Sequence, residues 1–568
     1  MYQPNGQKLP ERIGRLDELA HNLWWSWYPG ARDLFRAVDY PLWSISGHNP
    51  VKQLRNLGSD RLETLAADPT FVDLYDSVMS AFDSYMSADR DAWFTSTHGS
   101  QLPGPVAYFS MEFAVHVSLP MYAGGLGVLA GDVCKEASDL GLPMVGIGLL
   151  FSQGYFLQHI PDHGWQEENY LELDHEDAPV RPVFSPQGGR ALTQVQIADR
   201  LVSVGAWRVQ VGRVNVYLLT SDLDENSPQD RELTARLYTS ALEVRIQQEI
   251  LLGIGGVRVL GVLGIKPSVW HANEGHASFM TIERVREMVQ KGTPFPDALQ
   301  KVGDATVFTT HTPLRAGTDI FPIQLVEKHL SQYLDATGVD KEILLSLGRD
   351  NTGNQHFNMT ALGLKMAGRR NGVSRLHGEV SRWLWHGLWP QVQQDQVPIS
   401  HVTNGIHVPT WVAPELANLY ERYLGENWLD RHDDTTLWER VLDIPDHKLW
   451  ATHMLLKSKL ISIMRERAQK SLDKGLTAKQ MVAKGVFLDP EALTIAFARR
   501  YTEYKRPGLI FKDIERLRKI VKDAHRPVQI IFAGKSHPDD TPSKHLLQSV
   551  YSLLTDHQFE GRIAFVED

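Results

Sequence analysis

At 568 residues, 42% hydrophobic and 22% charged, the chain exceeds what one hydrophobic core organises, so two or more globular domains are expected and disorder is excluded. A net charge of -10 without any long Lys/Arg block argues against nucleic acid or an acidic membrane surface as the main partner. The single cysteine, Cys134, rules out an intramolecular disulfide and a Cys-cluster metal site, and suits a cytoplasmic setting.

Residues 1–8 are polar and carry no apolar signal core. Residues 12–86 read as helical, with Leu16, Leu19, Leu23, Trp24 and Trp27 near helical spacing inside a Trp24-Trp25-Ser26-Trp27 cluster. Indole faces can stack on sugars, but aromatics at this spacing favour a core role. Loop composition at 95–105 marks the end of a helical N-terminal region, 1–95.

From 96 to 405, β-rich runs alternate with helical patterns. Strands are expected at 106–109, 144–150, 214–219, 269–271 and 306–309, and helices at 231–252 and 277–290. This order predicts a parallel sheet covered on both faces, with ligands at the carboxyl ends of its strands. The apolar stretch 142–151 is broken by Pro143, Gly146 and Gly148 and is too short to span a membrane. Tyr108-Phe109-Ser110-Met111-Glu112-Phe113 leads into Gly124-Gly125-Leu126-Gly127 and then a helix. That order suits an anion cradle, in which glycines admit close approach and free N–H groups at a helix start face the anion. The same glycines would equally serve tight packing.

Three strand ends deliver polar groups. His271-Ala272-Asn273-Glu274-Gly275-His276 follows an apolar strand, and its histidines, five apart across a glycine, do not fit a helical zinc motif. Thr309-Thr310-His311-Thr312-Pro313 repeats the pattern. Thr403-Asn404-Gly405-Ile406-His407 forms an Asn-Gly turn whose amide could hold a sugar hydroxyl.

Residues 406–568 form a second alternating unit, with strands at 494–498, 528–532 and 563–566 and helices at 509–524 and 545–554. Ending on a third strand, it reads as an incomplete domain in a chain that looks cut. Arg499-Arg500-Tyr501-Thr502-Glu503-Tyr504-Lys505-Arg506 places four cations within eight residues after what reads as a buried strand. A dianion is their natural guest, and Lys535 adds a cation on the same rim.

Taken in order, these motifs resemble the α-glucan (glycogen, starch, maltodextrin) phosphorylases, and the tryptophan-rich start resembles their shorter bacterial branch. The resemblance implies an α/β fold of two Rossmann-like domains of the GT-B glycosyltransferase type, with the glucan in the cleft and pyridoxal 5′-phosphate in the C-terminal domain. It implies phosphorolysis of terminal α-1,4-linked glucose to α-glucose 1-phosphate with retention. Arg500 and Lys505 would hold the substrate phosphate, and Arg499, where many relatives carry lysine, would face the cofactor phosphate with Lys535. Gly124 and Gly125 would offer N–H groups to phosphate. His311 and Asn404 would contact the glucose, His311 near the developing oxocarbenium, while Glu112, Asn273, Glu274 and His276 would organise the sugar pocket. The cofactor-anchoring lysine is expected beyond Asp568, so the chain by itself is expected to be inactive. The N-terminal phosphorylation segment of animal relatives is not recognisable. Expected partners are α-glucan, orthophosphate and, in assembly, further copies of the chain. A nucleotide-sugar glucan synthase and a non-catalytic glucan-binding protein are the competing readings.

Overall fold

The computed structural model describes residues 9–87, 92–99, 102–336, 338–350, 355–470, 478–554, 556–559 and 561–568. The reading of residues 1–8 lies outside them. Packing divides the chain into a first unit, Met1–Tyr155 with Glu172–Thr410, and a second, Phe156–Leu171 with Trp411–Asp568. The expected boundary at 405/406 thus falls at 410/411, and the helical N-terminal region belongs to the first unit instead of standing apart. The excursion at 156–171 was not foreseen.

The N-terminal region is a run of short helices, each started by local chemistry. Asp39 accepts the Leu42 N–H at 2.8 Å, and Asn49 accepts those of Val51 and Lys52 at 3.0 and 3.2 Å ahead of Pro50, side-chain caps on otherwise orphaned donors. Trp24, Trp25 and Trp27 are all buried. Trp24 stacks on Tyr28 at 4.3 Å and Trp25 meets Trp43 edge-on at 5.7 Å, so the tryptophans form core and not a sugar platform.

In chain order the strands are β1 (Val106–Phe109), β2 (Met144–Leu149), β3 (Leu157–His159), β4 (Glu167–Asn169), β5 (Arg181–Pro182), β6 (Leu192–Ile197), β7 (Arg200–Val211), β8 (Val214–Thr220) and β9 (Val269–Asn273). They continue as β10 (Thr306–Thr309), β11 (Ile320–Pro322), β12 (His356–Asn358), β13 (Arg369–Gly372), β14 (Ser400–His401), β15 (Leu493–Ala498), β16 (Val528–Ala533) and β17 (Ile563–Val566).

The first unit is built on a ten-stranded sheet of order β14-β13-β10-β9-β1-β2-β8-β7-β5, with β6 on β7. It is parallel from β14 to β8 but antiparallel through β7, β5 and β6. The expected purely parallel sheet is therefore mixed, because Gly212-Arg213 reverses the chain in two residues, with Gly212 at φ +59°. From β1 the chain moves to β2 on one side and later returns to β9 on the other, so the strand order reverses at β1/β9. In such sheets the crevice outside the carboxyl ends at the reversal is where ligands bind.

Two expected helices are broken. Within 231–252, a turn at Glu232–Thr234 and the positive φ of Tyr238 (57°) delay the helix to Leu242–Ile250. Within 509–524, Asp513 accepts the Arg516 N–H at 3.1 Å and starts a new helix, Ile514–Val521, after a short turn.

The second unit holds a parallel sheet β15-β16-β17. Ile530, Phe532, Ile563 and Phe565 pack there with Leu517, Leu547, Val550 and Tyr551. β15 was expected to be buried and is not: it is the edge strand, with Leu493 and Ile495 62% and 43% exposed. The β3–β4 hairpin joins this unit through Gln166, whose Nε2 donates to the Ser536 carbonyl at 3.0 Å and whose Oε1 accepts the Ser536 N–H at 2.8 Å. Among the described residues no helix is long and apolar enough to cross a membrane.

Candidate functional site

The loops after β1, β9, β10 and β13 meet at the strand reversal. Their centre is Glu274, directly after β9. One carboxylate oxygen accepts the N–H groups of His311 and Thr312 at 2.7 and 3.1 Å and the Thr312 hydroxyl at 3.0 Å. The other accepts the Gly275 N–H at 3.0 Å. Burial raises the Glu274 pKa, and these donors oppose the rise. Its backbone sits at φ 78°, ψ 169°, a region suited to glycine, so five hydrogen bonds, the fifth from the Thr360 hydroxyl at 3.5 Å, hold a strained residue in place.

One directional chain fixes His311. The Ser110 hydroxyl donates to the Glu112 carbonyl at 3.0 Å, so its lone pair accepts from Asn273 Nδ2 at 3.1 Å. Asn273 Oδ1 then faces His311 Nε2 at 2.6 Å, which must carry the proton. Nδ1 is left as the acceptor. Burial first, then the neighbouring His377 and His271, lowers the His311 pKa to about 3. The imidazole is neutral, with a lone pair to offer.

A second chain lies one strand further. Thr309 Oγ1 donates to Asn371 Oδ1 at 3.0 Å and so accepts from His271 Nε2 at 2.8 Å. His276 is buried, accepts the Met111 N–H at 3.3 Å, and is lowered by burial to a pKa of about 3. Among the described residues no group of three or more His, Cys, Asp or Glu is placed to hold a metal ion.

The glycine loop differs from an open cradle. Glu112 Oε2 accepts the N–H groups of Ala123 and Gly124 at 2.6 and 3.2 Å, so an internal carboxylate already sits at the start of the Gly125–Leu140 helix. The glycines also divide by role. A Cβ on Gly127 would lie 2.5 Å from Tyr122 Cβ and 3.0 Å from Glu112 Cβ, whereas one on Gly125 meets nothing within 4 Å. Gly127→Ala is therefore expected to cost about 1–3 kcal/mol through overpacking, and Gly125→Ala to leave stability unchanged or slightly raised. Thermal unfolding of the two variants checks this. A ligand-facing role for Gly125 would show as lost function at full stability.

Glu112, Gly124, Asn273, Glu274, His276 and His311 are thus brought together. Asn404 is exposed and joins its neighbours through its backbone N–H to the Val373 carbonyl at 3.1 Å; no side-chain contact links it to His311 among the described residues. The cations belong to the second unit. Arg499 and Arg500 are exposed at the carboxyl end of β15 and make no ion pair among the described residues. Lys505 lies over the Tyr504 ring at 4.7 Å. Gly534, at φ +132°, lets β16 leave close to the Arg499 carbonyl, where a Cβ would sit 1.9 Å from that oxygen. Lys535 is not an open cation: it pairs with Asp568 and donates to the Phe156 carbonyl at 2.5 Å.

Sequence reading missed Ser110, Thr309 and Asn371 as members of the network. Asn371-Gly372 repeats the strand-end pattern, but Arg369-Arg370 disguises its strand. Tyr238, whose hydroxyl donates to Glu112 Oε1, carries no sequence signal.

Comparison with known proteins adds the following. The profile of a family described as carbohydrate phosphorylase matches residues 266–557, and one described only as a protein of unknown function matches 9–119. The chain is 41% identical to the glycogen phosphorylase of Aquifex aeolicus, over 97% of this chain and 78% of that one. It is 42% identical to the maltodextrin phosphorylase of Thermococcus litoralis, over 99% and 66%, and 41% identical to the glycogen phosphorylase of Mycobacterium tuberculosis, over 98% and 66%. The chain therefore spans about two thirds or more of the length of these relatives.

Proposed function

Because the chain belongs to the carbohydrate phosphorylase family, we propose that it serves phosphorolysis of α-1,4-glucans, with orthophosphate taking the terminal glucose as α-glucose 1-phosphate with retained configuration. The C1–O4 bond breaks, a C1–O bond to phosphate forms, and the phosphate's proton leaves with O4 of the shortened glucan. The observation that carries the reading is the hydroxyl-accepting hub at β1/β9/β10: the neutral His311 Nδ1 and the supported carboxylates of Glu112 and Glu274 suit a sugar better than an anion. The relatives named for glycogen and maltodextrin support the same substrate class.

On this reading Asn273, Glu274 and His276 shape the sugar pocket and Asn404 adds an amide to a sugar hydroxyl. His311, being neutral, accepts a hydrogen bond from a sugar hydroxyl; it does not itself supply positive charge to an oxocarbenium. Gly125 borders the phosphate with its backbone N–H, whereas the Gly124 N–H is already held by Glu112 Oε2 and only shapes the loop. Arg500 and Lys505 supply its counter-charge, Arg500 as a fork and Lys505 as a point charge. A two-domain GT-B architecture and a cytoplasmic setting belong to the same proposal.

Pyridoxal 5′-phosphate, when bound, supplies a phosphate group that exchanges a proton with the substrate phosphate. Arg499, exposed and without an ion pair among the described residues, fits such a group, whereas Lys535 is committed to Asp568. The fit is to the phosphate alone.

The test is α-glucose 1-phosphate release from maltopentaose and orthophosphate, with the cofactor added, by a protein that carries this chain together with a cofactor-anchoring lysine. Arg500→Ala is expected to lower kcat/KM for phosphate by about 100-fold or more with unchanged thermal stability. Glucosyl transfer from a nucleotide sugar, or glucan binding without phosphate-dependent turnover, would overturn the proposal.

A further inference from the structure

Beneath the glycine loop lies a buried charged cluster that the sugar site itself does not use. Arg245, on the Leu242–Ile250 helix, forks onto Asp319 at 3.2 and 3.0 Å and pairs with Glu249 at 3.1 Å. Arg245 and Glu249 are both buried. The guanidinium stands over the Tyr238 ring at 4.8 Å, and the Tyr238 hydroxyl donates to Glu112 Oε1. Burial, then the charge of Glu112, keeps that phenol protonated and hence a donor. The other Glu112 oxygen holds the N–H groups of Ala123 and Gly124. Arg245 and Asp319 also lie close enough to His276 to act on it electrostatically, and His276 grips the Met111 N–H. The cluster therefore reaches the Met111–Glu112 corner from two sides.

Two further features mark the segment as built for this contact. Tyr238 sits at φ +57° without being glycine or asparagine, a backbone state that persists only where the surroundings over-determine it. The helix that carries Arg245 widens at once into a π-turn, Leu251–Gly255, an irregularity that recurs beside functional sites.

We infer that Tyr238 is a positioning residue: held in place by Arg245 and Asp319, its hydroxyl keeps the Glu112 carboxylate on the Ala123 and Gly124 amides and so sets the glycine loop that borders the ligand. The consequence for catalysis rests on the phosphorylase reading above, whereas the positioning itself does not. A tyrosine ring is a rigid spacer. It carries the fixed orientation of a buried ion pair to the Glu112 carboxylate.

The test uses Tyr238→Phe, which keeps the ring over which Arg245 stands and removes only the hydroxyl. Amide hydrogen exchange on the ligand-free chain is expected to show protection at Ala123 and Gly124 falling about tenfold or more, with β2 and the thermal midpoint little changed. Unchanged protection at these two amides overturns the inference. Arg245→Lys, which retains charge but loses the planar fork, is expected to expose the same two amides; if it does not, the ion-pair half of the inference fails. Maltopentaose affinity is read alongside and is expected to fall about tenfold in Tyr238→Phe. A wild-type chain that ignores maltopentaose would count against the phosphorylase reading, while the exchange data would still decide the role of Tyr238.

Discussion

Glu274→Ala is expected to lower the local stability of β9 and β10 by about 3–5 kcal/mol, because it removes the acceptor of five hydrogen bonds inside a buried site. The N–H groups of Gly275, His311 and Thr312 and the hydroxyls of Thr312 and Thr360 would all lose this partner. Three of these donors lie on the loop after β10, so that loop would also lose its attachment to β9. Alanine does not relieve the backbone strain at φ 78°, whereas glycine does. Glu274→Gly is therefore expected to recover about 1 kcal/mol relative to alanine, and Glu274→Gln, which keeps one acceptor oxygen, to fall nearer the wild type. Amide exchange in β9 and β10 is the appropriate readout, since a single unfolding free energy is ill-defined for a chain of two units. An alanine variant within about 1 kcal/mol of wild type would show that water replaces the carboxylate, and that Glu274 is not the hub.

Why Glu274 was readable and Tyr238 was not follows from how each reaches the site. The runs before Ser110, Asn273 and Thr310 are short, apolar and end abruptly in polar residues, and a parallel sheet puts such junctions at one edge. Strand ends therefore announced the segments that carry Asn273, Glu274, His276 and His311, whereas Glu112 was named only through the family resemblance. Tyr238, Arg245 and Asp319 come from a helix interior and from irregular chain, where no periodicity marks a residue as facing inward. The positive φ of Tyr238 had no glycine or asparagine to signal it. Packing decided the glycine loop too: three glycines looked alike in sequence, yet Gly127 is required by Tyr122 and Glu112 while Gly125 faces open space.

The same limit explains the second unit. β15 has the alternation-free apolar composition of a buried strand, yet it is the edge of its sheet and largely exposed. Burial depends on what covers a strand, and composition alone does not reveal the cover. Lys535 looked like an open cation because its partners, Phe156 and Asp568, lie 379 residues before it and at the chain's last position. The antiparallel β6–β7–β8 meander was missed for a different reason: long-range ladder partners determine its direction, and the reading followed only local alternation.

Acid is expected to unfold the first unit earlier than its carboxylates alone would dictate, because His276, which is buried, and His116, His271 and His311, which are partly buried, are held without charge. Burial is the leading cause for each, lowering His271 and His116 to a pKa of about 4 and His276 and His311 to about 3. An unfolded chain protonates histidine near pH 6.5. A depressed folded value contributes stability that is complete above that pH and is lost as pH falls toward the folded value. Each such histidine costs roughly 1.4 kcal/mol per pH unit in this window. Glu274 and Glu249 act in the opposite sense: burial raises both, so the folded state takes their protons first and each cancels up to one proton of the difference. These groups alone are therefore expected to take up on the order of two to four protons when the first unit unfolds near pH 5, measurable from the pH dependence of that unit's urea transition. His276→Gln, which keeps an acceptor for the Met111 N–H, should reduce the uptake by about one. Imidazole signals of these residues titrating near 6.5 in the folded chain would sink the account. The same neutrality constrains function. If His311 stays uncharged down to about pH 3, the proposed function requires that an acidic limb in glucan turnover above pH 5 belong to another group, most simply the phosphate itself, with Nδ1 of His311 proposed throughout as the acceptor for a sugar hydroxyl.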